Sequence, residues 1–179
     1  HREQDRPDPI SSYGAMKLAS EHTISAITRG TRTRAIYLRV ANAYGPGQNL
    51  ARPQGIIGVA WRNHLNGEPT TLFGAGSAVR DSIYMDDVGD LCLIATRSGA
   101  TGAINAGSGH AVSVEDLLRE MSEVAGMDLK VVHWGPRGFD VPHSVLDIDL
   151  ARGLGWEPKM PLREGLTRTW HWMRGAVPG

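Results

Sequence analysis

The sequence predicts an α/β fold, and three observations carry that prediction. Stretches with helical apolar spacing alternate with short apolar runs along the whole chain. Glycines stand where helices should stop, at Gly30, Gly67, Gly99 and Gly126. The composition, 41% hydrophobic and 21% charged over 179 residues, is that of a globular chain with a sizeable core.

Taken in order, Ser11 or Ser12 can cap a helix running to about Arg29, with Gly30 as its terminator. A strand follows from about Arg34 to Val40, then a turn-rich loop, NAYGPGQNLARPQG. A second helix is expected from about Ile56 to Asn66, stopping at Gly67. Thr70 to Phe73 reads as a short strand closed by GAGS. Asp86 is placed to cap a helix reaching about Arg97, followed by the strand GAINA. Ser113 opens a helix to about Ala125, its Ser-x-x-Asp spacing resembling a capping box. LKVVHW and SVLDI have the look of strands, and Pro161 to Arg174 of a last helix.

Several function classes drop out on composition. Lys and Arg together number 19, as do Asp and Glu, so no basic field exists to attract nucleic acid or an anionic membrane. A single cysteine, Cys92, can form neither an internal disulfide nor a zinc cluster. No apolar run approaches the ~20 residues of a membrane span. The first residues, HREQDRPDP, are too polar for a secretory signal. A cytoplasmic protein without metal, membrane or nucleic-acid partners is expected.

A dinucleotide-binding α/β chain carries a Gly-rich turn between its first strand and first helix. Here the first expected element is a helix, and neither GAGSAV nor GSGHAV is such a turn. The constellation that does carry chemistry is Tyr13 and Lys17 in SSYGAMKLASE. Four residues apart on a helix, they share one face. A tyrosine of ordinary pKa about 10 is a poor base at neutral pH, and an adjacent cation stabilises its phenolate.

PISSYGAMKLASE, LRVANAYGPGQ, RDSIYMDDVGD, INAGSGHAVSVEDL and PRGFDVPHSVLDIDLARGLGWEPKMPLREGL follow one another in order. Together they resemble the extended short-chain dehydrogenase/reductase superfamily, in its NAD-dependent sugar-nucleotide epimerase/dehydratase branch. The likeness runs from about Pro7 to Trp172. It implies that Tyr13 is the catalytic base and that Lys17 assists it and bonds the nicotinamide ribose. Asn42 would contact the sugar-nucleotide phosphates, and Leu72 and Phe73 would lie against the uracil. Arg80 and Arg137 would hold the diphosphate, Asp140 the nucleotide ribose, and Ser144 would border carbon 2 of the sugar. Arginine's planar fork suits phosphate oxygens, and a carboxylate suits vicinal hydroxyls.

Plainer readings of the same residues stand beside these. Arg80-Asp81 could be a surface ion pair, Asn42 part of the turn chemistry around Gly45, Pro46 and Gly47, and Phe73 ordinary core. Asp86-Asp87 reads better as a helix cap than as a paired-carboxylate site.

The resemblance further implies a partial Rossmann-type doubly wound sheet, its amino-terminal half missing, plus the small α/β substrate-binding domain of these enzymes. Residues 1–44 and 80–106 would be the remnant of the NAD-binding domain, and 45–79 with 107–179 the substrate domain. The family's pyrophosphate turn and its catalytic Ser or Thr precede the tyrosine by more than the 12 residues found here. The implied parent is a homodimeric UDP-sugar 4-epimerase, an isomerase of carbohydrate metabolism that takes UDP-hexoses or UDP-N-acetylhexosamines. The 179-residue chain alone is expected to be inactive. The alternatives are a dehydratase or decarboxylase of the same family, or a non-catalytic sugar-nucleotide-binding module.

Overall fold

In the computed structural model, residues 1–49, 51–52, 54–74, 76–135, 138 and 141–176 are described. The chain is α/β, and most of its strand pairs are parallel. Helix α1 spans Ser12–Thr28, and Ser11 caps it by accepting from the Gly14 N–H at 3.1 Å. Strand β1 (Ile36–Val40) pairs in parallel with β6 (Gly102–Ala106), from Ile36↔Gly102 to Val40↔Ala106. Parallel neighbours need a crossover, and α3 (Met85–Ser98) lies within the connection, packing Val88, Leu91 and Ala95 inward.

The turn-rich loop expected after β1 begins instead with a strand. Ala41 still donates to the Ala106 carbonyl at 2.9 Å, but Asn42 donates to that of Asp81 at 3.0 Å. The backbone has changed partner, and β2 (Asn42–Tyr44) runs parallel to β5 (Ser82–Tyr84). Three residues are too few for a period-2 pattern to announce, so the composition of the turn behind them dominates the sequence signal.

Beyond β2, α2 (Gly55–Leu65) precedes β3 (Thr70–Phe73), which pairs in parallel with β8 (Val131–Trp134). A small three-stranded sheet has β4 (Val79–Arg80) at its centre. On one side β7 (Val112–Ser113) is antiparallel to it, and on the other β9 (His143–Ser144) is parallel. Helix α4 (Val114–Ala125) is capped by Ser113, which accepts from the Asp116 N–H at 3.0 Å, and ends on Gly126 in the left-handed region. The last two helices are α5 (Asp149–Gly153) and α6 (Leu162–Ala176).

Two cores result. In the first, α2, α4 and α6 bring together Trp61, Leu117, Met121, Leu166, Trp170 and Met173, with the Trp61 and Trp170 rings 5.5 Å apart. The second gathers Ile83, Leu91 and Ile104 with Ile148, Ala151 and Trp156, the last three from the span assigned by sequence to the smaller domain. Strand β5 serves both, since Tyr84 packs into the first core and Ile83 into the second. Successive side chains on a strand point to opposite faces.

Two local expectations are corrected. SVLDI is strand only at Ser144; beyond it, Val145 and Asp147 bond the backbone of His1, and Asn105 donates to the carbonyls of His1 and Asp147. Asp86 does not cap α3, whose N-cap is Tyr84 and makes no side-chain capping bond. Asp86 and Asp87 lie in the first turn, and the buried Asp87 carboxylate accepts from the N–H groups of Lys159 (3.0 Å) and Met160 (3.1 Å). A first-turn carboxylate can face inward when other unpaired amides need it.

Helix α1 buries none of its residues. Arg39 holds it with a two-point bond to Glu21, at 2.9 and 2.7 Å, and Ser25 meets the Tyr37 hydroxyl at 2.8 Å. The Arg39 guanidinium keeps the Glu21 carboxyl below its usual range.

Candidate active site

The site lies where β1 ends and the backbone changes partner, as expected for ligands in α/β folds, which bind outside the carboxyl ends of strands. A cavity of about 740 Å³ opens there, lined by Tyr13, Val40, Asn42, Tyr44, Gln48 and Ser144 among others. A second, of about 760 Å³, is lined by Leu72, Phe73, Ser77, Arg80 and Pro142 among others. Asn42 and Gly55 line both, so the two cavities meet at them.

Tyr13 sits in the first turn of α1 and is 66% exposed. The Lys17 Nζ lies one turn further on, 5.4 Å from the Tyr13 ring centroid. Tyr44 lines the same cavity but is only 3% exposed and donates its hydroxyl to the Leu162 carbonyl at 3.3 Å. Burial, with smaller contributions from Tyr84 and Asp87, raises the Tyr44 pKa well above the ordinary tyrosine value. Of these two tyrosines, Tyr13 alone has both open access and a cation beside it.

Asn42, at the start of β2, donates through Nδ2 to the Asp81 carbonyl at 2.9 Å. Arg80, half-buried on β4, bonds the Val79 carbonyl through Nη1 at 2.9 Å. Ser144 is its register partner on β9. Leu72 is buried in the first core and also walls the second cavity, and Phe73 beside it is half-buried.

The structure therefore gathers Tyr13, Asn42 and Ser144 around one cavity and Asn42, Leu72, Phe73 and Arg80 around the other. Lys17 is beside Tyr13 rather than in either lining. Arg137 and Asp140 lie outside the described residues. Among the described residues, no cluster of His, Cys, Asp or Glu could hold a metal ion, and no helix is long and apolar enough to cross a membrane.

Asp81 is the residue whose place the sequence did not disclose. Its pairing with Arg80 as a surface ion pair is not what forms: Asp81 is 0% exposed, and its carboxylate accepts instead from Ser108, Gly109 and Leu146. Those donors lie 27 or more positions away, beyond any local pattern. The nearest sequence signal is its place between Val79-Arg80 and the run Ser82-Ile83-Tyr84.

Parallel strands, a crossover helix and a cavity at the strand ends define an α/β chain of the Rossmann-like epimerase architecture. The chain belongs to the NAD dependent epimerase/dehydratase family, whose profile matches residues 1–107. It is 33% identical over 175 residues to the dTDP-L-rhamnose 4-epimerase of Burkholderia thailandensis, covering 96% of this chain and 48% of that protein. Among solved structures it is similar to a Thermotoga maritima UDP-glucose 4-epimerase with UDP-glucose: TM-score 0.91, 36% identity, 98% of this chain and 57% of that one. It is also similar to a Thermus thermophilus UDP-glucose 4-epimerase complex with NAD: TM-score 0.87, 33% identity, 99% of this chain and 59% of that one. The chain thus spans about half the length of the curated relatives it matches.

Proposed function

We propose that this chain carries the proton-transfer residue and the sugar-nucleotide site of an NAD-dependent UDP-sugar 4-epimerase, as part of a longer protein. The observation that carries the reading is the pair of cavities meeting at Asn42. One has the exposed, lysine-flanked Tyr13 at its wall, and the other an arginine beside an apolar surface. The first suits a sugar, and the second suits a nucleoside diphosphate.

NAD, when bound, supplies the hydride acceptor and donor at carbon 4 of the sugar. Tyr13 takes the proton of the carbon-4 hydroxyl and returns it to the 4-keto sugar once that has turned over in the site. Lys17 sets its positive charge 5.4 Å from the Tyr13 ring centroid and would bond the nicotinamide ribose when NAD is bound. The open side of Tyr13 and Lys17 fits the ribose end of the cofactor. The sequence holds no Gly-x-x-Gly-x-x-Gly or Gly-x-Gly-x-x-Gly turn for its pyrophosphate. That part belongs to the remainder of the longer protein, and the 179-residue chain alone is inactive.

Asn42, Arg80 and Arg137 hold the diphosphate, Leu72 and Phe73 carry the uracil, and Asp140 bonds the nucleotide ribose. Ser144 is small and leaves room at carbon 2 for an acetamido group, so UDP-N-acetylhexosamines enter as well as UDP-hexoses. Residues 1–44 and 80–106 act as the cofactor side and 45–79 with 107–179 as the substrate side. The protein works in the cytoplasm and as a homodimer, the latter supported by the exposed Met16, Ile24 and Ile27 on α1.

In the longer protein, Tyr13→Phe should lower epimerase turnover by about 10²–10⁴-fold, the usual share of a positioned acid–base group. Its KM for the UDP-sugar should change little. Full turnover in that variant would remove Tyr13 from the chemistry.

A further inference from the structure

Asp81 is a buried carboxylate that the proposed proton transfer does not use. Its Oδ1 accepts from the Ser108 N–H at 2.8 Å and the Ser108 hydroxyl at 2.6 Å. Its Oδ2 accepts from the N–H groups of Gly109 at 3.2 Å and Leu146 at 3.3 Å. A carboxylate offers about four lone-pair positions, and each of these four donors takes one. No described cation reaches it, for the Arg80 Nη1 is committed to the Val79 carbonyl.

The backbone of the same residue holds the other side. The Asp81 carbonyl accepts both the backbone N–H of Asn42 (3.0 Å) and its side-chain Nδ2 (2.9 Å), and the Asp81 N–H donates to the Ser144 carbonyl at 3.0 Å. Asp81 thus occupies the single position between β4 and β5. Through it pass the bonds that orient the Asn42 amide, at the meeting of the two cavities, and Ser144, in the wall of the first. Gly107 leaves the space this needs, since a Cβ there would stand 2.3 Å from the Asp81 Oδ2.

We infer that Asp81 is a positioning residue for the sugar-nucleotide site: its buried carboxylate anchors the 107–109 turn and Leu146, and so fixes Asn42 and Ser144 in the cavity walls. The inference rests on the proposed sugar-nucleotide reading for its consequence, but not for its geometry. Asp81 itself touches no ligand, and its effect passes through Asn42 and Ser144.

Two variants of the 179-residue chain test it. Asp81→Asn keeps the shape but turns an NH₂ group towards N–H donors, leaving donors unpaired in a buried place. Gly107→Ala would set a Cβ 2.3 Å from the carboxylate Oδ2 and so force it to shift. Hydrogen–deuterium exchange by residue segment reads the geometry, and titration with UDP reads the consequence. In both variants exchange should quicken at 42–44, 107–110 and 144–146 and stay as in the parent chain in α4 and α6. The UDP dissociation constant should rise about tenfold, what loss of roughly one well-made buried hydrogen bond would give.

Native exchange at 42–44 and 144–146 in Asp81→Asn would overturn the inference. So would equally faster exchange throughout α4 and α6, which would make Asp81 a general stabiliser of the fold. Unchanged UDP affinity beside a quickened 42–44 would break the link to the site. If the parent chain does not bind UDP, the sugar-nucleotide reading fails, while the exchange pattern still decides the positioning claim.

Discussion

Two tyrosines line one cavity, and their surroundings send them to different tasks. Tyr44 is sealed against Tyr84 in an edge-on contact at 5.6 Å, and burial keeps its hydroxyl protonated. Tyr13 stands in the open beside the Lys17 ammonium. In the longer protein Tyr44→Phe should therefore leave turnover within about threefold, because the bond lost is a long one to the Leu162 carbonyl. A pH-rate profile measured beside that of Tyr13→Phe checks the division of roles. Ser144 gives the second residue-scale prediction. Ser144→Tyr should depress turnover of a UDP-N-acetylhexosamine far more than that of the plain hexose, since filling space excludes only the larger group. Equal losses on both substrates would take Ser144 out of the sugar site.

The sequence disclosed where some of these residues stand. Tyr13 and Lys17 share a helical turn by their spacing, whereas Asn42 was reached only through the family resemblance and opens a strand instead of lying in a loop. Asp81 was not legible, since its donors come from 107–109 and 146 and only the folded chain brings them together. Nor did local spacing show that Leu72 would serve a core and a cavity wall at once.

Among the elements, the helices were the readable part. Ser11, Ser113, Gly99 and Gly126 bound them as their cap chemistry predicts. The two- and three-residue strands β2, β4, β5, β7 and β9 were not readable, because their pairing is decided by partners far along the chain. Helix α1 is attached mainly by polar contacts, and its bond to β1 is titratable. The Glu21 carboxyl is depressed by its bonds to Arg39. Its contribution is complete above the ordinary glutamate pKa and is lost as pH falls through the lowered folded value. Glu21→Gln should therefore cost on the order of 1 kcal/mol of local α1 stability at neutral pH and nothing below the carboxylate range. Amide exchange in α1 measured at both pH values checks it. At the junction of α6 with β2 and β5, a Cβ on Gly165 would stand 2.3 Å from the Tyr44 hydroxyl and 3.0 Å from the Tyr84 ring. Gly165→Ala should lower stability by about 1–3 kcal/mol, the range for overpacking a core. Thermal unfolding reads the loss.

At the scale of the whole molecule, two cores share β5, and the candidate site opens where β1 ends beside them. The α1 face carries Tyr13, Met16, Ile24 and Ile27 without burying any of them. The central claim is that the nucleotide site of a sugar-nucleotide epimerase is housed in this chain, while the cofactor's pyrophosphate is held elsewhere. Parallel calorimetric titrations of the 179-residue chain with UDP and with NAD test it most directly. UDP should bind with micromolar affinity, weakened at least about tenfold by Arg80→Ala, the scale of a charge-assisted contact to phosphate, and NAD should not bind tightly. Micromolar affinity for NAD, with none for UDP, would contradict it.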